Sequence, residues 1–252
     1  MNTVYIEGFG VLHTRGIYSG KGFRQWDCDQ SGAEDVKRAQ VLSEPLPAFG
    51  RLPLPDRLAF SAASLALCEQ EEPGGDRSAI CLGIPNGSFI TDIDFLQSVR
   101  NGFPSPSLFS ATLPSSPVAE IAIHYKFKGP CRVISGGNSP SMAALDSAWY
   151  FVKSGKAEKA LSIGVWTPDY IRPAFAFALF LSSTPSSHRS LSLEMDLKID
   201  GVDGIELEQD LFMHLAELIM YSQPVSISVN RKGFRGYICL EEQRREVYEH
   251  VN

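Results

Sequence analysis

Residues 129–145 constrain the fold more than any other stretch, because they read as a strand, a tight turn and the start of a helix in immediate succession. Cys131, Arg132, Val133 and Ile134 form a short run with β-branched residues. Gly136 and Gly137 follow, and glycine enters backbone conformations closed to other residues. Ser139 can cap a helix and Pro140 suits its first position, ahead of the small-residue run Ser141, Met142, Ala143 and Ala144. Asn138 therefore falls on a sharp turn at a helix N-terminus. Such a turn projects one side chain beside unpaired amide donors and the positive end of a helix dipole, where nucleophile elbows carry Ser or Cys. A carboxamide there can hydrogen-bond but cannot attack. Taken alone, Asn138 also reads simply as a turn former, since asparagine tolerates left-handed backbone.

Strand and helix patterns alternate along the chain. Residues 4–12 read as a strand, 56–69 as an Ala/Leu-rich helix, 78–84 as an apolar strand ending at Pro85-Asn86-Gly87, and 89–99 as a helix. Residues 175–181 add an apolar strand, and 191–197 resumes the apolar pattern after a polar break. This order predicts a mostly parallel, buried sheet. Residues 22–55 and 103–117 are rich in loop formers and read as connections. Beyond residue 200, positions 211–221 read as an apolar helix. Residues 225–229 and 234–240 alternate around Asn230-Arg231-Lys232-Gly233, a hairpin signal.

Charge and composition narrow the function. With 23 Lys and Arg against 29 Asp and Glu, the net charge of −6 argues against a nucleic-acid surface. No stretch approaches the ~20 apolar residues that span a bilayer, and the N-terminus lacks a basic leader, so a cytoplasmic location is expected. Five widely spaced cysteines without a Cys-x-x-Cys pair fit a reducing compartment. The five histidines show no ligand spacing, so neither a metal nor any other cofactor is expected. Cys131, early in an apparently buried strand, reads as a core thiol, and Cys81 reads likewise.

In order and spacing, Gly129-Pro130, the β-rich run, the turn at Asn138 and the small-residue helix resemble the β-ketoacyl synthases of the thiolase-like superfamily, whose nucleophilic Cys position falls on Asn138. Residues 111–125 resemble the segment and helix at that family's dimer interface, and 143–164 its buried helix, turn and core strand. The family's His-Gly-Thr-Gly-Thr and Gly-His-rich motifs are absent. The resemblance implies a thiolase-like α/β fold, a mostly five-stranded mixed sheet with helices on both faces, truncated relative to a full ketosynthase. It divides the chain into an N-terminal-like domain, 1–200, and a divergent extension, 201–252, packed on it.

The function so implied is that of a chain-length-factor-like, non-catalytic subunit. It would pair with a catalytic β-ketoacyl synthase, receive chains from an acyl carrier protein and shape the acyl tunnel in polyketide or fatty-acid-type synthesis, with aryl polyenes the preferred class. Phe109, Leu113, Val118, Ile121 and Tyr125 are its tunnel or interface residues, each readable equally as ordinary packing. Two other readings stay open: a stand-alone acyl-thioester transferase or hydrolase with an unrecognised nucleophile, and a homodimeric module binding an acyl carrier or thioester.

Overall fold

The computed structural model describes residues 2–27, 29–137, 139–169, 172–185, 191–199, 205–221, 225–231 and 234–242. In chain order the elements are β1 (Tyr5–His13), β2 (Gly16–Ser19), β3 (Gly22–Gln25), α1 (Arg38–Val41), α2 (Leu54–Leu67), β4 (Ser78–Ile84), α3 (Phe89–Arg100), α4 (Pro106–Ser110), α5 (Ser116–Tyr125), β5 (Cys131–Ser135), α6 (Pro140–Lys153), β6 (Lys159–Trp166), β7 (Phe175–Ser182), β8 (Leu191–Ile199), α7 (Ile205–Met220), β9 (Val225–Arg231) and β10 (Phe234–Glu242).

The sheet is mixed, as expected, but holds ten strands where the sequence suggested five. Its order is β5-β4-β6-β7-β1-β8-β10-β9, with the β2–β3 hairpin hung on β1. Only β4–β5 and β4–β6 are parallel pairs; the others run antiparallel. The expectation of a mostly parallel sheet fails for a geometric reason. Eight residues, 167–174, join β6 to β7, too few for the dozen or more that a parallel crossover needs. The β2–β3 hairpin and α1 lie within or beside residues 22–55, which the sequence presented as connections only.

Side chains of alternate strand residues fill two separate cores. Ile80, Leu82, Leu161, Ile163, Ala176 and Ala178 face α2 and α5, while Ala79, Cys81, Phe177, Leu179 and Leu181 face α6 and α7. β4 and β7 are buried along their whole length, which explains their unbroken apolar runs. On the α7 side, the Phe177 and Phe212 rings stand 4.3 Å apart. Trp149 Nε1 donates to the Leu193 carbonyl at 2.9 Å, tying α6 to β8.

Among the described residues Asp56 is the one charged side chain in the core, at 2% exposure. It lies in the first turn of α2 and accepts a 2.6 Å hydrogen bond from Ser116 Oγ at the start of α5. Burial pushes its carboxyl up to about 6 from the ordinary 3.8, and Glu120 adds to the rise.

Two predictions follow from this packing. A Cβ at Gly83 would stand 2.3 Å from Ser141 Cα and 2.4 Å from the Pro140 carbonyl oxygen. Gly83→Ala should therefore destabilise the protein by about 3 kcal/mol or more, read from urea midpoints. The raised carboxyl means that folding favours protonated Asp56. Its unfavourable effect is full above pH 6 and disappears as the pH falls toward 3.8. Asp56→Asn keeps the acceptor for Ser116 and should stabilise the protein at pH 7.5 by roughly 1–3 kcal/mol, with the gain shrinking by pH 4.5.

Candidate functional site

The turn after β5 forms where α6 meets the sheet. Gly136 and Gly137 both have positive φ, 74° and 78°, so the chain reverses through two left-handed residues. Asn138 lies outside the described residues. Pro140 starts α6 as expected, but Ser139 does not cap it: its side chain makes no capping hydrogen bond and its Oγ is buried without a hydrogen-bond partner. What holds the helix start is contact. Ser141 sits over Gly83 of β4 and Gly164 of β6, where neither strand has a side chain to intervene.

Cys131 is exposed, which corrects its reading as a core cysteine. β5 is an edge strand, paired among the described residues only with β4, so it lacks the second neighbour that buries a central strand. Partial burial still raises the thiol's pKa. Cys131 also opens β5 while the glycine turn closes it, four residues or roughly 13 Å of strand away. It cannot serve as nucleophile at that turn. Cys81, by contrast, is buried, and burial pushes its thiol up to about 12.

The outer edge of β5 pairs with no other strand among the described residues. Ile80 N donates to the Pro130 carbonyl, and Gly136 N donates to the Ile84 carbonyl. This parity turns the amides of even-numbered residues toward β4 and those of Cys131, Val133 and Ser135 outward. The turn before α3 meets the end of β5, Gly87 facing Ser135, and the helix that follows exposes an apolar surface. Of α3 only Thr91 is fully buried; Phe89, Ile93 and Leu96, at i, i+4 and i+7, are each about half exposed or more. The ring of Phe95 lies 5.4 Å from that of Phe109 on α4, joining the two helices.

The five residues singled out from the sequence divide. Phe109 and Leu113 are both 62% exposed and belong to this surface. Val118 and Ile121 are buried in the core that α5 shares with α2. Tyr125 is partly buried, 5.9 Å ring to ring from Phe60, and burial raises its pKa. The sequence reading missed the α3 stripe and the groove beside the β2–β3 hairpin. The two-residue Gly20-Lys21 loop between short strands was the available signal for the latter.

No protein-family model matches this chain, and no curated protein sequence does. Solved structures do. A chain of the ketosynthase (ApeO) in complex with its chain length factor (ApeC) from Xenorhabdus doucetiae matches with TM-score 0.63 at 15% identity, covering 95% of this chain and 100% of that one. The ishigamide ketosynthase/chain length factor matches with TM-score 0.60 at 15% identity, over 88% and 74% of the two chains. A chain of AntDE:AntF, a type II polyketide acyl-carrier protein in complex with its ketosynthase, matches with TM-score 0.65 at 11% identity, over 95% and 99%. The chain thus has the thiolase-like fold of the ketosynthases. No described helix is long and apolar enough to cross a membrane.

The exposure pattern predicts thiol reactivity. At pH 8 in the native protein, N-ethylmaleimide should label Cys131 and leave Cys81 unlabelled until denaturant is added, as read by peptide mass spectrometry.

Proposed function

We propose that this chain is a chain-length-factor-like, non-catalytic subunit that pairs with a catalytic β-ketoacyl-ACP synthase and shapes its acyl tunnel. The observation that carries the reading is a ketosynthase-type fold in which β5 is an edge strand and α3 and the segment after it expose Phe89, Ile93, Leu96, Phe109 and Leu113. Unpaired strand edges and contiguous apolar patches are features that stand-alone proteins suppress. A partner of the same fold offers a complementary edge and apolar face. The solved neighbours include ketosynthases in complex with chain length factors.

In this reading residues 1–200 form the ketosynthase-like body, with 201–252 an extension of it. Asn138, in the sequence position of the family's nucleophile, leaves carbon–carbon bond formation to the partner's cysteine. The acyl carrier protein delivers chains on the partner's side, in the cytoplasm.

The role left to this subunit is steric. An elongating chain gains about 0.8 kcal/mol for each methylene it buries, until a bulky side chain at the tunnel end makes further insertion a matter of overpacking. In this reading Phe109 and Leu113 act as that stop, with Val118, Ile121 and Tyr125 anchoring α5 in the core beside them. A polyunsaturated, aryl-polyene-type chain is the proposed substrate class.

Co-expression with a ketosynthase from the same locus, followed by affinity capture and light scattering, tests the pairing. A one-to-one or two-to-two complex is expected; a homo-oligomer that ignores the ketosynthase would overturn the reading in favour of a homodimeric module. Val133→Pro removes an outward amide while leaving the ladder to β4, and should abolish pairing in a chain that still folds. Phe109→Ala should lengthen the product in an intact complex, and unchanged length would remove Phe109 as the stop.

A further inference from the structure

A second concave region of the molecule has no part in that reading. Between the β2–β3 hairpin, the segment 39–44 and the C-terminal ends of α2 and α5 lies a groove of about 1,090 Å³, at the upper end of the range for small-molecule sites. Its residues 70–75 lead into β4 and 124–128 into β5. It therefore opens at the N-terminal ends of the parallel strands, opposite the glycine turn.

The walls combine apolar surface with a rim of mixed charge that includes several cations. Phe23, half exposed, forms one side, its ring 4.7 Å from that of Tyr18. Leu42, Leu65 and Tyr125 contribute further apolar surface. At the rim stand Lys21, Arg24, Lys126 and Lys128, against Glu44, Glu71 and Glu72. Cations outnumber acids here by four to three, in a chain where acids prevail by 29 to 23. Arg24 donates to the Gln40 carbonyl, and Lys128 pairs with Asp76 at 3.4 Å with both side chains mostly exposed, a weak contact. Lys21 and Lys126 form no ion pair among the described residues.

Lys126 carries a further sign. It ends α5 in the left-handed conformation, φ 60° and ψ 37°, and is the one non-glycine described residue with positive φ. Glycine is the default at such a helix end because a side chain is strained there. A strained residue kept at the rim of a cavity points to use of its side chain.

We propose that this groove binds an anionic amphiphile, an acyl-type apolar chain lying along Phe23, Leu42 and Tyr125 with a carboxylate or phosphate head held by Lys21 and Lys126. The site is independent of whether a ketosynthase pairs with β5.

Two thiols make the test. Cys68 lines the groove and is exposed, whereas Cys131 is exposed on the β5 edge outside it. Alkylation by N-ethylmaleimide at pH 8, followed at each cysteine by mass spectrometry, is compared with and without dodecanoate and dodecyl phosphate below their micelle concentrations. Dodecyl maltoside serves as the neutral control. The expected result is at least fivefold slower labelling of Cys68, an unchanged rate at Cys131 and no protection by the maltoside. Which head group protects better identifies carboxylate or phosphate.

The Lys21→Ala/Lys126→Gly variant, in which glycine suits the left-handed position, should weaken calorimetric affinity about tenfold and lose most of the protection. Unchanged labelling of Cys68, equal slowing of both thiols, equal protection by the neutral detergent, or undiminished protection in the variant would each overturn the proposal. Pairing with a ketosynthase is read separately, as protection of Cys131 on addition of that protein.

Discussion

The first turn of α6 lies directly on the backbone of β4 and β6, and the arrangement at this end of the sheet depends on that contact. Gly83 and Gly164 leave no side chain between helix and strands, so Ser141 rests where a Cβ from either strand would otherwise stand. With β5 fixed to β4 by its ladder and α6 fixed by this contact, the turn between them has a set span to cross, and two left-handed glycines cross it. A helix start held by packing does not need a side-chain cap, which accounts for the unused Ser139 hydroxyl. A second close approach, of α2 onto Gly8 and Gly10 of β1, fixes the opposite layer in the same way.

Between these layers β4, β6 and β7 are closed to solvent on both faces, whereas the edge strand β5 is largely exposed. α5 buries Val118 and Ile121 against α2, but α3 has no such support and presents its apolar stripe outward. The outcome is a core complete in itself with an unsatisfied margin.

Much of this was legible in the sequence wherever burial on two sides leaves continuous apolar runs. β4, β6, β7 and α6 were readable because no residue in them had to compromise with water. Strand direction was readable too, had the eight-residue link from β6 to β7 been weighed against the length of a crossover. The four-residue strands β2 and β3 were not readable, since each is too short to show a period and only a glycine-bearing loop marks them. Cys131 misled because a run of apolar and β-branched residues looks alike at the edge and in the middle of a sheet; what distinguishes them is the number of neighbouring strands. The family resemblance put five residues on one footing, yet helical rotation turns Val118 and Ile121 of α5 inward, while Phe109 on α4 and Leu113 between the helices are exposed.

β1 pairs with β7 through partners such as Tyr5 and Ser182, Phe9 and Leu179, and Leu12 and Ala176. The chain's first strand thus finds its main neighbour only after about 170 further residues have been made, on the order of 10–30 s of ribosomal synthesis. During that interval the apolar side chains of β1 have α2 but no completed sheet, and contacts of such long sequence separation close slowly. The same topology that buries this strand at the centre of the finished molecule leaves its main ladder open until β7 exists, so its backbone is held at first by β2 and α2 alone.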